Sequence, residues 1–93
     1  MQFATFDDFR RQIGKPYEVE VQGGRIAMKL QAAQELPSMG RQGGSFRLEF
    51  IGPLQPLLPQ AIYPFHGGGQ RHEIFIVPIA QEQRGTRYEA IFV

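Results

Sequence analysis

Apolar and polar residues alternate with a period of two along most of the chain, which is typical of β-strands that bury one face. Tyr17, Val19 and Val21 alternate with acidic and amide residues, and similar alternation returns in later segments. These segments predict six strands, over residues 17–22, 25–32, 45–51, 61–66, 73–79 and 86–93. The chain is therefore expected to be mainly β.

A helical period marks the N-terminus, where a short helix is predicted over residues 5–13. Thr5 can cap its first turn, and Asp8 three residues later completes a capping box. Gly14 is expected to end the helix. The apolar residues of this segment fall at spacings of three and four, on one helical face: Phe6, Phe9 and Ile13.

The pair Gly23-Gly24 predicts a two-residue turn between the first two strands, because glycine adopts positive φ without steric cost. Glu18 would then face Lys29 on the outer side. Counting outward from the turn predicts three inner pairs: Val21 with Ile26, Val19 with Met28 and Tyr17 with Leu30.

Three later stretches interrupt the simple alternation. Residues 33–44 contain proline and several glycines and predict a long surface loop. Residues 53–59 carry three prolines, and their leucines are expected to lie over an open end of the core. Residues 74–79 are nearly all apolar, which indicates a strand covered on both faces, although Pro78 would limit how far its pairing runs.

Six short strands and one helix favour a small antiparallel six-stranded barrel or sandwich, with the helix closing one end or covering a face. The barrel is preferred because closure removes exposed strand edges. A chain of 93 residues is expected to form one domain over residues 1–93.

Composition removes several classes of partner. The net charge of +1 is too near neutrality to indicate nucleic acid or an anionic membrane. The absence of cysteine excludes disulfides and thiolate metal sites, and favours a reducing compartment. No signal peptide or apolar run of about 18 residues is visible. A cytoplasmic location is expected, without a membrane or nucleic-acid partner.

Two histidines flank the glycine run 67–69, and they are the groups most apt to titrate near neutrality. His66, His72 and the adjacent Glu73 could converge on a metal such as zinc, or act as acid and base. His-x5-His is not a recognised ligand spacing, however, and exposed turn residues are the commoner explanation. The glycine run also lacks the Lys and Ser/Thr of a phosphate-binding loop.

The remaining polar residues point to no catalytic set. Neither Ser38 nor Ser45 lies in a Gly-x-Ser-x-Gly elbow. Four arginines could form a basic surface with tyrosines, but Glu49 and Glu89 share the same strand faces, so a solvated mixed-charge face explains them better. The arginines are Arg47, Arg71, Arg84 and Arg87. The sequence therefore predicts no enzyme and assigns no catalytic residue, cofactor or metal.

Apolar residues on faces expected to be wet indicate contact with another chain or self-association. The alternative is that the N-terminal helix covers them. The candidate interface residues are Ile51, Leu57, Leu58, Ile74, Ile76, Ile91 and Val93.

A second hypothesis is a barrel that binds a small ligand in a cavity reached past residues 67–69. That cavity would be lined by Tyr17, Tyr63, Phe65 and Tyr88. The first hypothesis, based on the exposed apolar residues, is a non-enzymatic protein-interaction or assembly module. A filled barrel interior would favour this interaction module, and an open pocket would favour the ligand-binding barrel.

Several stretches carry a family resemblance: Phe6-x-x-Phe9 and residues 45–53, 59–63, 74–79 and 88–92. Through them the sequence resembles DUF6916, a family of short bacterial proteins, over nearly the whole chain. The resemblance implies a shared structure but no activity, and it transfers no functional residue. Because some members are encoded near phage-tail-like genes, the resemblance also implies an accessory role in such an assembly. This chain departs from the family in having Ile62, where a small polar residue is common.

Overall fold

The alternating segments close into an antiparallel barrel in a computed structural model that describes residues 4–37 and 40–93. Around the barrel the strands run β1-β2-β3-β6-β5-β4, and β4 closes against β1. This confirms the mainly β fold with a short N-terminal helix, and it decides for the barrel over the sandwich. The elements are α1 (Phe6–Arg10), β1 (Pro16–Val21), β2 (Gly24–Glu35), β3 (Phe46–Gly52), β4 (Ala61–Gly67), β5 (Gln70–Glu82) and β6 (Gly85–Phe92).

The inward residues of the alternation fill the barrel. The Phe50 ring lies 4.7 Å from the Phe65 ring and meets the Tyr17 ring edge-on at 5.7 Å. Burying a side chain of this size contributes about 1.5–3 kcal/mol, so these rings supply much of the stability of a small domain. The largest fully buried side chains are Tyr17, Tyr88, Phe9, Phe46, Phe50, Phe65, Met28, Leu30, Leu48, Ile74, Ile76 and Val19.

Helix α1 closes one end of the barrel. The capping box is present, because Thr5 Oγ1 accepts from the Asp8 amide and an Asp8 carboxylate oxygen accepts from the Thr5 amide. The Phe9 ring enters the barrel end, 5.7 Å from the Phe46 ring and 5.6 Å from the Phe92 ring. The helix therefore covers the end of the core and leaves the outer faces of the sheet open.

The helix is shorter than the sequence predicts, and it ends at Arg10 rather than near residue 13. The Gly14 amide donates to the carbonyl of Leu30 at 2.7 Å, which attaches the chain to β2. Ile13 therefore lies in a turn and is exposed, not on the buried helical face.

The β1–β2 hairpin has the predicted inner face but a different register. Val21 pairs with Gly24, so the two turn residues are Gln22 and Gly23, and Val19 pairs with Ile26. Gly23 has a φ of +88°, whereas Gln22 before it does not have a positive φ, and this combination is that of a type II turn. Each predicted partner is displaced by two residues, which keeps every side chain on its predicted face.

Strands β2 and β5 are the two that the sequence underestimates, whereas the other strands begin and end within one residue of their predicted bounds. Each of the two contains a bulge, between Leu30 and Ala32 in β2 and between Pro78 and Ala80 in β5. The extra residue of a bulge lets a strand change direction and continue pairing. Pairing therefore runs past Pro78 to Glu82, contrary to the prediction.

The predicted loop 33–44 begins only after Glu35, and its residues Ser38 and Met39 lie outside the described part of the chain. Arg41 anchors its second half, since Nη1 donates to the Ala4 carbonyl at 2.8 Å and to the Gly44 carbonyl at 3.0 Å. The guanidinium also lies over the Phe46 and Phe92 rings.

Of the leucines in the segment before β4, only Leu58 enters the core. Its amide donates to the buried Tyr88 hydroxyl at 3.0 Å, which fixes the segment over the barrel. Leu54 and Leu57 are exposed, so the predicted leucine cover is formed by one of the three residues.

Candidate functional site

The residues His66, His72 and Glu73 do not converge. His66 pairs with Arg71, and His72 pairs with Phe65, which places the two imidazoles on opposite faces of the sheet. His66 contacts the Glu20 carboxylate on the outside of the barrel, whereas Glu73 lies 3.5 Å from an Arg71 nitrogen. Within residues 4–37 and 40–93, no three metal-ligating side chains are grouped to hold an ion.

The number of residues in the β4–β5 turn decides whether the two histidines share a face of the sheet. Gly67 pairs with Gln70, so the turn consists of Gly68 and Gly69 alone. A two-residue turn puts His66 and His72 on opposite faces, whereas a three-residue turn would put them on one face. The sequence Gly-Gly-Gly is compatible with both, which is why sequence reasoning did not separate them.

His72 lines a polar cleft between the N-terminal turn of α1 and the β4–β5 turn. The cleft has a volume of about 490 Å³. The His72 ring packs 4.7 Å from the Phe9 ring, and its Nε2 lies 3.2 Å from the Gln70 amide oxygen. Burial lowers the pKa of His72, and the nearby Asp8 carboxylate opposes that shift. The cleft is lined by Ala4, Thr5, Asp8, Gly69, Gln70, Arg71 and His72.

This environment predicts that acidification weakens the fold through His72. Its pKa is below the ordinary 6.5 in the folded protein, so the unfolded chain takes up the proton first. The contribution of His72 to stability is complete above pH 6.5 and is lost as the pH falls through the folded pKa. Urea unfolding between pH 7.5 and 5.5 should show a decline that is smaller in His72→Gln. The control His66→Gln should retain the decline, and an unchanged decline in His72→Gln would contradict this account.

The barrel interior contains the aromatic residues that the ligand hypothesis assigned to a cavity wall. Tyr17, Phe65 and Tyr88 are fully buried and occupy the interior themselves. Burial, and secondarily the Asp8 charge, raises the pKa of Tyr17 to about 12. The hydroxyl of the half-buried Tyr63 donates to the Pro59 carbonyl at 2.8 Å. Tyr17, Phe65 and Tyr88 therefore belong to the core.

Two of the four candidate arginines belong to a charged network on the outer face of β3 and β6. Arg47 bridges Glu49 and Glu89, which face each other across the two strands. Arg87 lies 3.4 Å from Glu49. Each guanidinium in the network therefore has a carboxylate partner, which disfavours phosphate binding at this surface. Arg71 lies outside this network, and Arg84 reaches it only through Glu82, which is 3.9 Å from Arg84 and 3.3 Å from Arg87; both side chains are mostly exposed.

The candidate interface residues separate into buried and exposed sets. Leu58, Ile74 and Ile76 belong to the core and cannot offer a surface. This corrects the prediction that β5 is covered on both faces, because its inward side chains are buried while Phe75 and Ile79 are exposed. Ile51 is half-buried. The exposed candidates are Leu57, Ile91 and Val93.

An apolar strip crosses the outer face of three neighbouring strands, and we call it the outer apolar face: Ile62 of β4, Phe75 of β5 and Ile91 of β6. Ile62 and Phe75 are direct partners. On the other side of β5, pairing with β6 begins at Val77 and Glu89, which lie two residues along their strands from Phe75 and Ile91. Their exposed fractions are 61%, 50% and 48%, respectively. The helix does not cover them, since it packs at the end of the barrel.

Sequence reasoning missed Ile62 and Phe75 as surface residues. The signal was available for Ile62, which lies between the inward positions 61 and 63 in the predicted alternation. Phe75 gave no such signal, because every residue from 74 to 79 is apolar and the period of two is hidden.

Comparison with known proteins leads to one family. No curated protein and no solved structure matches the chain. Among the described helices, none is long and apolar enough to cross a membrane. The sequence profile of DUF6916, described as a domain of unknown function, matches residues 4–92, which is almost the entire chain. The protein therefore belongs to the DUF6916 family.

Proposed function

We propose that the protein is a non-enzymatic interaction module that binds a protein partner through the outer apolar face. The observation that supports this most directly is that Ile62 of β4, its direct partner Phe75 of β5 and Ile91 of the neighbouring β6 each leave about half of the side chain exposed. Covering the remaining exposed halves would contribute about 1 kcal/mol per side chain. Such a strip on a rigid sheet can act as the central contact of an interface.

The surroundings of the outer apolar face support a defined interface. Ile91 pairs with Arg47, which is held by two carboxylates. Glu73 pairs with Pro64, two residues along β4 from Ile62. Charged residues thus lie around an apolar centre, which is the usual arrangement of a protein-binding patch. The lack of cysteine is consistent with a cytoplasmic partner. A component of a phage-tail-like assembly, as the family resemblance implies, is the first partner to test.

The proposal predicts that Phe75→Glu abolishes partner binding while the barrel stays folded. A charge at the centre of an apolar contact cannot be buried without a partner ion, whereas in the free protein it points into water. Affinity capture from the native host, quantified by mass spectrometry, should lose its specific protein with this variant. Light scattering on the same samples would reveal self-association as the alternative form of the interaction.

Leu57→Glu is the matched control, because Leu57 is equally apolar, 48% exposed, and lies in the proline-rich segment before β4. This variant should retain the partner. Loss with Leu57→Glu alone would move the interface to that segment. Equal recovery with wild type and both variants would contradict an interaction through the outer apolar face.

A further inference from the structure

Among the strands of the described residues, none pairs with one edge of β2 over part of its length. β2 pairs with β1 over Gly24–Lys29 but with β3 only from Lys29 onward. β3 ends at Gly52, and Pro53 follows it. A proline has no amide hydrogen, so the chain at Pro53 cannot continue the ladder alongside β2. In the alternating antiparallel pattern, Ile26 and Met28 direct their backbone groups to β1, so on the other edge the amides and carbonyls of Arg25 and Ala27 pair with none of the described strands.

An apolar groove of about 670 Å³ lies beside this free edge. Ile26 of β2 and Ile51 with Pro53 at the end of β3 supply its apolar surface, whereas the lining residue Met28 is itself fully buried. Ile51 is an interface candidate that lies outside the outer apolar face, and it is one of the lining residues here. The complete lining is Pro16, Ile26, Ala27, Met28, Lys29, Ile51, Gly52, Pro53 and Arg84.

The charge of the groove is one-sided. Lys29 and Arg84 are its charged residues, and no carboxylate lines it. Arg84 lies 3.9 Å from Glu82, but its side chain is mostly exposed, so that contact leaves it available. A ligand with negative charge near its ends would therefore complement the groove.

We propose that this groove binds an extended peptide segment, apolar in its centre and acidic at its ends, as a strand added to the free edge of β2. An extended peptide supplies both amide donors and carbonyl acceptors along the edge, and alternate side chains can enter the apolar groove. A second copy of this chain fits less well, because pairing of the two β2 edges would bring Lys29 and Arg84 of one copy close to the same two cationic residues of the other. The site lies on other strands than the outer apolar face and does not depend on it.

The test uses the full chain labelled with ¹⁵N and a synthetic seven-residue peptide of alternating threonine and valine with glutamate at both ends. The amide signals of residues 25–29 should shift in a saturable way. The same peptide with terminal lysines should bind about tenfold more weakly, because both charge contacts become repulsive. A peptide with N-methylated internal amides should not bind, since it lacks the donors needed to pair with the edge.

Two variants connect the binding to this site. Arg84→Glu should weaken binding of the peptide with terminal glutamates and strengthen binding of the peptide with terminal lysines. The matched control Arg71→Glu should change neither affinity. Phe75→Glu should leave peptide binding intact, which separates this proposal from the interaction through the outer apolar face. Failure to saturate at millimolar peptide, or shifts confined to other strands, would overturn the proposed site. Equal binding of the N-methylated peptide would overturn strand addition.

Discussion

Gly85→Ala is expected to destabilise the barrel by about 4 kcal/mol, combining backbone strain with a clash in a packed region. Gly85 begins β6 with φ at +142°, a conformation that residues with a side chain rarely adopt. A Cβ there would lie 2.1 Å from the Gly52 carbonyl oxygen, which is a backbone atom at the end of β3. Neither strand can move without breaking the pairing between Gly52 and Thr86.

Urea unfolding followed by circular dichroism measures this effect, with Gly69→Ala as the matched control. Gly69 also has a positive φ, +76°, but a Cβ at this position meets no atom within 4 Å. The control should therefore lose only about 1 kcal/mol through backbone strain. Equal losses in the two variants would show that the contact with Gly52 is not the cause.

Arg47→Met is expected to cost about 3 kcal/mol at pH 7, because it leaves two facing carboxylates without their shared cation. Arg47 Nη2 donates to Glu49 at 2.9 Å, and Nε donates to Glu89. Burial raises the pKa of Glu49, but hydrogen bonds from Arg47 and Gln31, together with the charges of Arg87 and Arg47, outweigh it and leave the pKa lowered. Hydrogen bonds to Glu89 and Glu49 in turn raise the pKa of Arg47.

The pH dependence identifies the cause of the loss. The lowered pKa of Glu49 adds stability that is complete above the ordinary 4.5 and is lost as the pH falls through the folded pKa. In Arg47→Met the guanidinium no longer offsets the cost of burying the Glu49 carboxylate, so protonation of Glu49 should reduce that cost in the variant. The stability difference between wild type and variant should therefore shrink on acidification.

Chemical denaturation of two further variants controls for packing. Arg71→Met removes an exposed pair with Glu73, 3.5 Å apart, and should cost less than about 1 kcal/mol. Adding Glu49→Gln to Arg47→Met should restore part of the loss, because the uncompensated charge disappears. A double variant less stable than Arg47→Met would indicate that lost contacts of the arginine side chain dominate.

The sequence predicted the fold class well because a strand's inner and outer positions follow from local alternation. Tyr17, Val19, Phe50 and Tyr88 were assigned to the core by that alternation, and all four are buried. The capping box of Thr5 and Asp8 is equally local, since its hydrogen bonds span three residues. Such features need no information about distant parts of the chain.

The candidate site was less accessible to sequence reasoning. The register of the first hairpin was displaced because Gly23-Gly24 allows two positions for the turn, and only pairing with the rest of the barrel selects one. Likewise, the turn at Gly68-Gly69 decides that His66 and His72 lie on opposite faces.

By itself, the sequence determined which side chains face the common interior wherever apolar and polar residues alternate, because side-chain direction along a strand depends only on the parity of neighbouring positions. The tertiary structure alone decided what happens on the outside of the barrel. Glu49 is buried there beneath arginine and glutamine side chains, while Phe75 on the same side of the sheet is half exposed. The reason is that cover for an outward residue comes from neighbouring strands, whose identity and register are set by closure of the whole barrel.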